Sequence, residues 1–560
     1  MSSGQDEPPS KPCHNCRRRR LKCDRALPGC RKCSKTGQEC LGYGKLFLWD
    51  QGVASRGKMM GKTIPVQSPK SPPAEAVHAV SGASLIGHDD SMPPGQEMVL
   101  RSSNACMEPA SSWWIAAPPQ RPLIDPIFQD LGHSSRLYLS HFADEFCKSL
   151  VTYDMPNLNP FRDLIPLTRE HAVLLHMAIA NSAVHMANRY AMETQSAAVA
   201  AQSLKGIAPG QVSAIHSQPL HELSGQAARF YHDALVAKQK ALRLLRHALQ
   251  HVDTGNRDVL LAAIHLFANF ELITSGKGDC IVHVEGARRL IECFGSESSP
   301  MMGKLRDYVV SDCLTFYILG SMVASSRSRA NANRRFQYVL PLLERAESNS
   351  YLSCPSVLLQ IMLSASYLNR GSATDQASSS SSFSLAAEAA SLLQRARAVD
   401  VHVWAQQVQG ISSQHADDFA SRVHVASAHK SAICLYIHRA VQPAADLLDD
   451  GQVEVLVADI LHHLAQMDGG DNLIKGTAWP TFVAGAESED PERRAWVAER
   501  MVMLWRIMLW GYLPTALETL QVIWKTDDVV CEIDGVAAAA AAKEGWLQKL
   551  KRLGIEWMIV

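Results

Sequence analysis

Residues 13–40 read CHNCRRRRLKCDRALPGCRKCSKTGQEC, and the reading of this stretch decides the architecture of the whole chain. Its cysteines, Cys13, Cys16, Cys23, Cys30, Cys33 and Cys40, follow the spacing C-x2-C-x6-C twice over, and they are six of the fourteen in the protein. A repeated half-unit implies two similar metal-binding halves. A C-x2-C turn points two sulfurs at one ion, and zinc takes four soft ligands in a tetrahedron. Two ions with unshared ligands would need eight thiolates; six suffice only if two sulfurs bridge. The spacing therefore predicts a Zn(2+) site with two ions per chain. With sulfur at every position no place is left for a catalytic water, so the zinc is structural. The stretch holds few large apolar residues, Leu21 and Leu27 among them, so metal must supply much of its folding energy.

Outward from this stretch, composition bounds the rest. The chain has 560 residues, 47% hydrophobic and 20% charged, enough to bury a large core in more than one domain. Its net charge of zero hides a separation. Residues 1–62 carry 14 Lys/Arg against 5 Asp/Glu, a net of +9, and the other 498 carry 41 against 50, a net of −9. A basic head on an acidic body implies a polyanion partner for the head, and nucleic acid is the obvious one. The start, MSSGQDEPPSKPC, has no apolar signal-peptide core, which predicts a protein kept inside the cell, where clustered cysteines are metal ligands and not disulfides. The longest apolar run, MVMLWRIMLWGYLPTALETL from Met501, is interrupted by Arg506 and Glu518 and predicts no membrane span.

The stretch resembles the fungal Zn2Cys6 binuclear-cluster family over the whole of residues 13–40, including the arginine run, LKCD and a proline before the fourth cysteine. The resemblance implies that Cys13 and Cys30 are the bridging ligands, that each half is a short helix followed by an extended strand, and that Pro28 fixes the loop between the halves. It implies a nuclear transcription factor bound to double-stranded DNA.

Arg17 to Arg20 begin directly after the second cysteine, on the short helix that its turn starts, where four consecutive side chains fan around most of a turn. Arg presents a planar fork that matches guanine O6 and N7 in the major groove. By position in the family motif, Arg19 and Arg20 align with residues that reach a CGG triplet, and Arg17, Arg18 and Lys22 with phosphate contacts. The family often has Lys-Lys where this chain has Arg19-Arg20, which leaves the base preference similar but not fixed. Arg25, Arg31, Lys32 and Lys35 add further phosphate contacts and steepen the salt dependence. A basic run by itself is as well explained by a solvated face or a nuclear-import signal, and the import role is compatible with DNA binding.

After Cys40, LGYGKLFLWDQGVASRGKMMGK resembles the linker of regulators grouped with the acriflavine-sensitivity control type. That resemblance implies control of a drug-resistance or secondary-metabolite gene set. Its aromatics Tyr43, Phe47 and Trp49 either pack back on the cluster or lie along DNA with Arg56, Lys58 and Lys62. No leucine heptad follows. Residues 63–125 hold ten of the 27 prolines and predict a disordered tether, with WWI at Trp113–Ile115 its one apolar spot.

From about residue 126 the period becomes helical. DALVAKQKALRLLRHALQ places Ala234, Leu235, Ala241, Leu242, Leu245, Ala248 and Leu249 on one face. Val259 to Ile273 is apolar nearly all round and ends at Gly276, which predicts a buried partner helix. No βαβ alternation appears. Pieces of this region, NPFRDLIPLTREHAVLLHMAIANSAVHMA from Asn159 and HVEGARRLI from His283, resemble the fungal-specific transcription-factor domain, which implies regulation and partner contacts. ATDQASSSSSFS at 373–384 predicts a disordered insertion. AAAAAAKEGWLQKLKRLGIEW at 537–557 predicts a closing helix with Trp546, Leu550, Leu553 and Trp557 on its inner face. WKTDDVVCEIDG from Trp524 alternates acidic and apolar residues as activation segments and ordinary connecting loops both do.

No glycine-rich phosphate loop, G-x-S-x-G or H-E-x-x-H occurs, and His283 with Glu285 cannot face each other at i and i+2 of a helix, so no enzyme is expected. Cys106, Cys147, Cys280, Cys293, Cys313, Cys354, Cys434 and Cys531 lack ligand spacing and are expected in the core, and His462-His463 is expected to be surface or core. The expected architecture is a small binuclear zinc cluster and a large all-α regulatory domain joined by a disordered linker: 1–12 a disordered N-terminus, 13–40 the DNA-binding domain, 41–62 a basic aromatic linker, 63–125 a Pro/Ser-rich linker, 126–560 the helical domain. The expected function is sequence-specific regulation of RNA polymerase II genes at promoter CGG-like sites. Expected partners are the transcription machinery or coregulators and a second copy in a homodimer, with no membrane. The rival is a corepressor or interaction protein whose cluster is a non-specific basic anchor.

Overall fold

The computed structural model describes residues 11–19, 21–26, 30–36, 40, 130–155, 159–203, 225–253, 256–292, 303–323, 339–368, 379–408, 418–442, 446–531, 544–555 and 557–560. Expectations for the N-terminus before residue 11, the linkers 41–62 and 63–125, Arg20, Leu27, Pro28, Cys106 and Cys293 lie outside the described residues, as do the side chains of Arg18 and Cys531. The chain divides into two compact units, Met1–Trp114 and Ile115–Val560.

In the first unit two five-residue helices, α1 (His14–Arg18) and α2 (Arg31–Lys35), carry the first two cysteines of each half-repeat. In the second, helices follow one another without a strand among the described residues: α3 (His133–His141), α4 (Leu164–Glu170), α5 (Ala172–Ser203), α6 (Gly225–Ala248), α7 (Arg257–Thr274), α8 (Cys280–Glu292) and α9 (Gly303–Gly320). Then come α10 (Val339–Glu344), α11 (Ser356–Leu368), α12 (Ser379–Ala398), α13 (Val401–Gln407), α14 (Phe419–Val441), α15 (Asp450–Ala465), α16 (Ala478–Glu487), α17 (Pro491–Met508), α18 (Tyr512–Cys531) and α19 (Trp546–Arg552). No helix among the described residues is long and apolar enough to cross a membrane. The interrupted run from Met501 is the end of α17 and the start of α18.

One continuous apolar core runs from Tyr138 to Val560. Its centre is α7, buried on every side from Asp258 to Ile273 as its apolar sequence predicts. The helix stops because Ser275 N and Gly276 N both turn back onto the Glu271 carbonyl, at 3.0 and 2.7 Å, with Gly276 in the left-handed region at φ +73°. The end is then knitted to its neighbours. Gly511 N donates to the Ile273 carbonyl at 2.8 Å, so close that a Cβ at Gly511 would lie 2.3 Å from the Thr274 oxygen. The second buried axis is α14, which packs against α11, α12, α15 and α16. Cys147, Cys280, Cys313, Cys354 and Cys434 are buried thiols of this core, as expected.

The structure corrects four details. On α6 the buried face is Ala227, Ala234, Ala237, Ala241 and Leu245, whereas Leu235, Leu242 and Leu249 are 42%, 40% and 47% exposed. The small alanines face α5 because they let two helix backbones approach. The serine run at 379–384 opens α12 and is helical. The final helix buries Trp546 and Leu550 but ends at Arg552, with Gly554 at φ +65°, so Leu553 is exposed and Trp557 packs from beyond the helix, its indole N–H on Thr519 Oγ1 at 3.1 Å. The segment from Trp524 is helical through Cys531, and its two described acids have partners in the body: Asp527 pairs with Lys549, and Asp528 with Arg494 at 2.8 Å, while Glu532 and Asp534 lie outside the described residues.

Candidate metal centre and nucleic-acid surface

The half-repeat of the sequence is a half-repeat of geometry. Cys13 is the N-cap of α1 and its sulfur accepts the Cys16 N–H at 3.4 Å; Cys30 is the N-cap of α2 and accepts the Cys33 N–H at the same 3.4 Å. The third cysteine of each half closes the loop in the same way. Cys13 N donates to Cys23 Sγ at 3.5 Å, and Cys30 N to Cys40 Sγ at 3.4 Å. A capping sulfur takes the place usually held by a Ser or Asp oxygen, so each helix starts where its ligand must be.

Two sets of four sulfurs result, Cys13–Cys16–Cys23–Cys30 and Cys13–Cys30–Cys33–Cys40, in each of which all sulfurs lie within 4.8 Å of one another. Cys13 and Cys30 are common to both, with 3.5 Å between their sulfurs. Burial pushes the Cys13 and Cys16 thiols up, and Cys30 is likewise raised, against the pull of the Cys33 N–H. At Cys23 burial also works upward, yet the backbone N–H groups of Cys13 and Arg25 favour the thiolate and bring it down to about 7. Thiolates this crowded and buried repel one another, and a divalent cation at the centre of each set turns that repulsion into attraction. The donor set, all soft and four to a site, fits zinc.

Around the sulfurs the surface is cationic. Arg17, Arg19, Lys22, Arg25, Arg31, Lys32 and Lys35 are all exposed. The helix is shorter than the arginine run: α1 ends at Arg18, Arg19 is its C-cap, and Leu21 N returns to the Cys16 carbonyl at 2.9 Å. The chain has to turn there to bring Cys23 back to the cluster seven residues after Cys16. The arginine run therefore does not lie wholly on the helix; Arg19 projects from the turn itself. Sequence reasoning also missed Asp24, whose Oδ2 accepts the Arg31 N–H at 3.1 Å and links the first half to the start of α2. Its signal was present in LKCD, an acid at the end of one half with the second helix still to be started. Arg25 sits at φ +57°, a left-handed residue that reverses the chain after Asp24.

In the body, the pairs weighed for chemistry are engaged elsewhere. Glu285 binds Arg288 and Arg289 at 2.7 and 3.1 Å, while His283 stacks on Phe267. His463 Nδ1 lies 2.9 Å from His424 Nδ1 and joins α15 to α14.

Comparison with known proteins agrees with both units. Residues 11–49 match the fungal Zn(2)-Cys(6) binuclear cluster domain, a module that binds two zinc ions, and residues 136–559 match the fungal specific transcription factor domain. The chain is similar to the acriflavine sensitivity control protein acr-2 of Neurospora crassa, 32% identical over 98% of this chain and 97% of that one. No solved structure matches. With both domains matched and the likeness running nearly end to end, the chain belongs to the fungal transcription factors that join a Zn(2)-Cys(6) cluster to the fungal specific transcription factor domain.

Proposed function

We propose that this transcription regulator works in the nucleus and recognises CGG-like triplets in the major groove of promoter DNA, with Arg19 and Arg20 on base edges and Arg17, Arg18, Lys22, Arg25, Arg31 and Lys32 on phosphates. Cys13, Cys16, Cys23, Cys30, Cys33 and Cys40 hold two zinc ions, and Cys13 and Cys30 serve both. The observation that carries the reading is the pair of four-sulfur sets sharing two members, beside an exposed face of arginines and lysines. Such a frame is too small to have a hydrophobic core, and holds its cations rigidly only because the metal replaces one. The body is regulatory, non-catalytic, and meets coregulators or a second copy. The target is a drug-resistance or secondary-metabolite gene set; the name of the Neurospora relative, which controls acriflavine sensitivity, supports the first of these.

The test is selection of bound sites from random duplex DNA by the full-length, zinc-loaded protein at physiological salt. Enrichment of CGG-like triplets, lost in Arg19→Ala, supports specific readout. No enriched sequence would make the head a non-specific basic anchor.

A further inference from the structure

Helix α6 presents a second face that no neighbour among the described residues covers. Its alanines pack on α5, and its outer side carries Leu235 and Leu242 at 42% and 40% exposure, continued one residue past its end by Leu249 at 47%, whose N–H still bonds the Leu245 carbonyl at 2.9 Å. Of the fifteen exposed large apolar residues among those described, six lie between residues 235 and 252, the others being Val236, Leu244 and Val252. Exposed leucines scattered singly are ordinary; a row of them is not. Seven-residue spacing drifts only ~20° per repeat on a straight helix, so the three leucines form one stripe about 21 Å long.

The charge beside the stripe selects its occupant. From Leu235 to Gln250 the chain has four Lys/Arg and no Asp or Glu. Lys238 is committed to Glu271, but Arg243 and Arg246, which flank Leu242 and Leu249, are exposed and pair with no carboxylate among the described residues. A second copy would bring the same arginines to the same seam, and like charges beside a helical seam oppose pairing. Carboxylates there are matched. The body outside this helix is acidic on balance, so the patch also stands out as a target for steering.

We propose that the outer face of α6 is the docking surface for an acidic amphipathic helix of a coregulator, its apolar residues seated on Leu235, Leu242 and Leu249 and its carboxylates on Arg243 and Arg246. The inference rests on the reading of the body as regulatory. A helix laid on an apolar stripe needs anchors at three- and four-residue intervals, so the partner segment is recognisable by leucine-like residues at that spacing with Asp or Glu between them.

The test uses the full-length, zinc-loaded protein and two fluorescein-labelled helical peptides of about 18 residues, one with leucines at that spacing and glutamates elsewhere, the other with every glutamate made lysine. Fluorescence anisotropy should show the acidic peptide binding about tenfold or more tightly than the basic one. Leu242→Ser should weaken it about tenfold, and Arg243→Glu with Arg246→Glu should reverse the preference. Each position is exposed, and an unchanged melting temperature verifies that the fold is intact. Equal binding of the two peptides, no binding of either, or indifference to Leu242→Ser overturns the proposal. So does sedimentation showing a dimer that Leu242→Ser dissociates while peptide binding is unchanged, which gives the face to a second copy. DNA-site selection on the same samples separates the two failures: intact selection with no peptide effect removes the docking surface alone, and absent selection removes the functional reading.

Discussion

The sulfurs of Cys13 and Cys30 lie 3.5 Å apart although the two residues are seventeen positions apart in the chain, and each caps a helix while belonging to both four-sulfur sets. A shared position has a stoichiometric consequence. Cys13→Ser or Cys30→Ser should release both zinc ions, whereas Cys23→Ser or Cys40→Ser should weaken one set and leave the other. Zinc content per chain, measured with a chromophoric chelator after gel filtration, distinguishes the cases. Equal zinc loss in all four variants would remove the bridging assignment.

Chelation should act on the head alone. Structural zinc contributes about 10–16 kcal/mol to the folding of small modules, which the few apolar residues here cannot replace. The body has its own core from Tyr138 to Val560 and needs no metal to bury it. A chelator in excess is expected to abolish DNA binding and leave the helical circular dichroism and the main thermal transition nearly unchanged. Collapse of the helical signal on chelation would show that the body depends on zinc.

Base and phosphate contacts separate by salt. Lys22→Ala or Arg31→Ala should weaken all sequences alike and reduce the slope of log K against log salt by about one each. Arg19→Ala should cost about 1–3 kcal/mol on the preferred site and much less on unrelated DNA. Binding titrations on the selected and a scrambled duplex at several salt concentrations measure both. A loss for Arg19→Ala that is equal on the two duplexes would place Arg19 on phosphate.

The cysteine frame was the most legible part of the sequence because metal geometry admits few spacings, and each residue's type and position carry the constraint directly. Val259 to Ile273 was legible for a similar reason: a helix apolar nearly all round has to be buried. On α6, by contrast, Ala234 and Ala241 lie next to Leu235 and Leu242, and apolarity ranks the leucines as the better core. What decides is how near α5 comes, and small residues win where backbones are close. Arg19 was misplaced onto a helix because the return of the chain to Cys23 is a three-dimensional demand with no local signature. Asp527 and Asp528 looked available because their partners, Lys549 and Arg494, are distant in sequence.

The end of α7 should be sensitive at two small residues. Asn188 Nδ2 donates to the carbonyls of Ile273 and Leu509, at 2.9 Å each, so Asn188→Ala leaves a buried carbonyl at Leu509 without its donor. A cost of about 1–3 kcal/mol is expected. Gly511→Ala drives a Cβ against the backbone oxygen of Thr274 and should cost more than Asn188→Ala, because neither backbone can retreat from a packed core. Chemical denaturation of the two variants checks the order. An Ala at 511 as stable as Gly would mean that the α17–α18 turn is free to shift.

Acid should loosen the body through its buried histidines. His429 is buried, stacks on Trp479, and holds the Gly476 carbonyl at 2.8 Å; burial lowers its pKa from 6.5 to about 4, more than its hydrogen bonds raise it. Burial brings His283 down to about 4 as well. The unfolded chain takes up a proton at each as the pH falls through 6.5, while the folded chain refuses it until about 4. Stability is therefore fully present above the unfolded value and is lost as the pH falls through this window. The loss is on the order of 3 kcal/mol for a fully buried histidine such as His429. His429→Gln keeps a donor for Gly476 but does not titrate. It should be less stable than the parent at pH 7.5 and should lose less on going to pH 4.5, so that the two denaturation curves converge. Carboxylates such as Asp154 titrate equally in both proteins and cancel from the comparison. Parallel pH profiles for parent and variant would show that His429 is protonated in the folded body and that its burial does not exclude the charge.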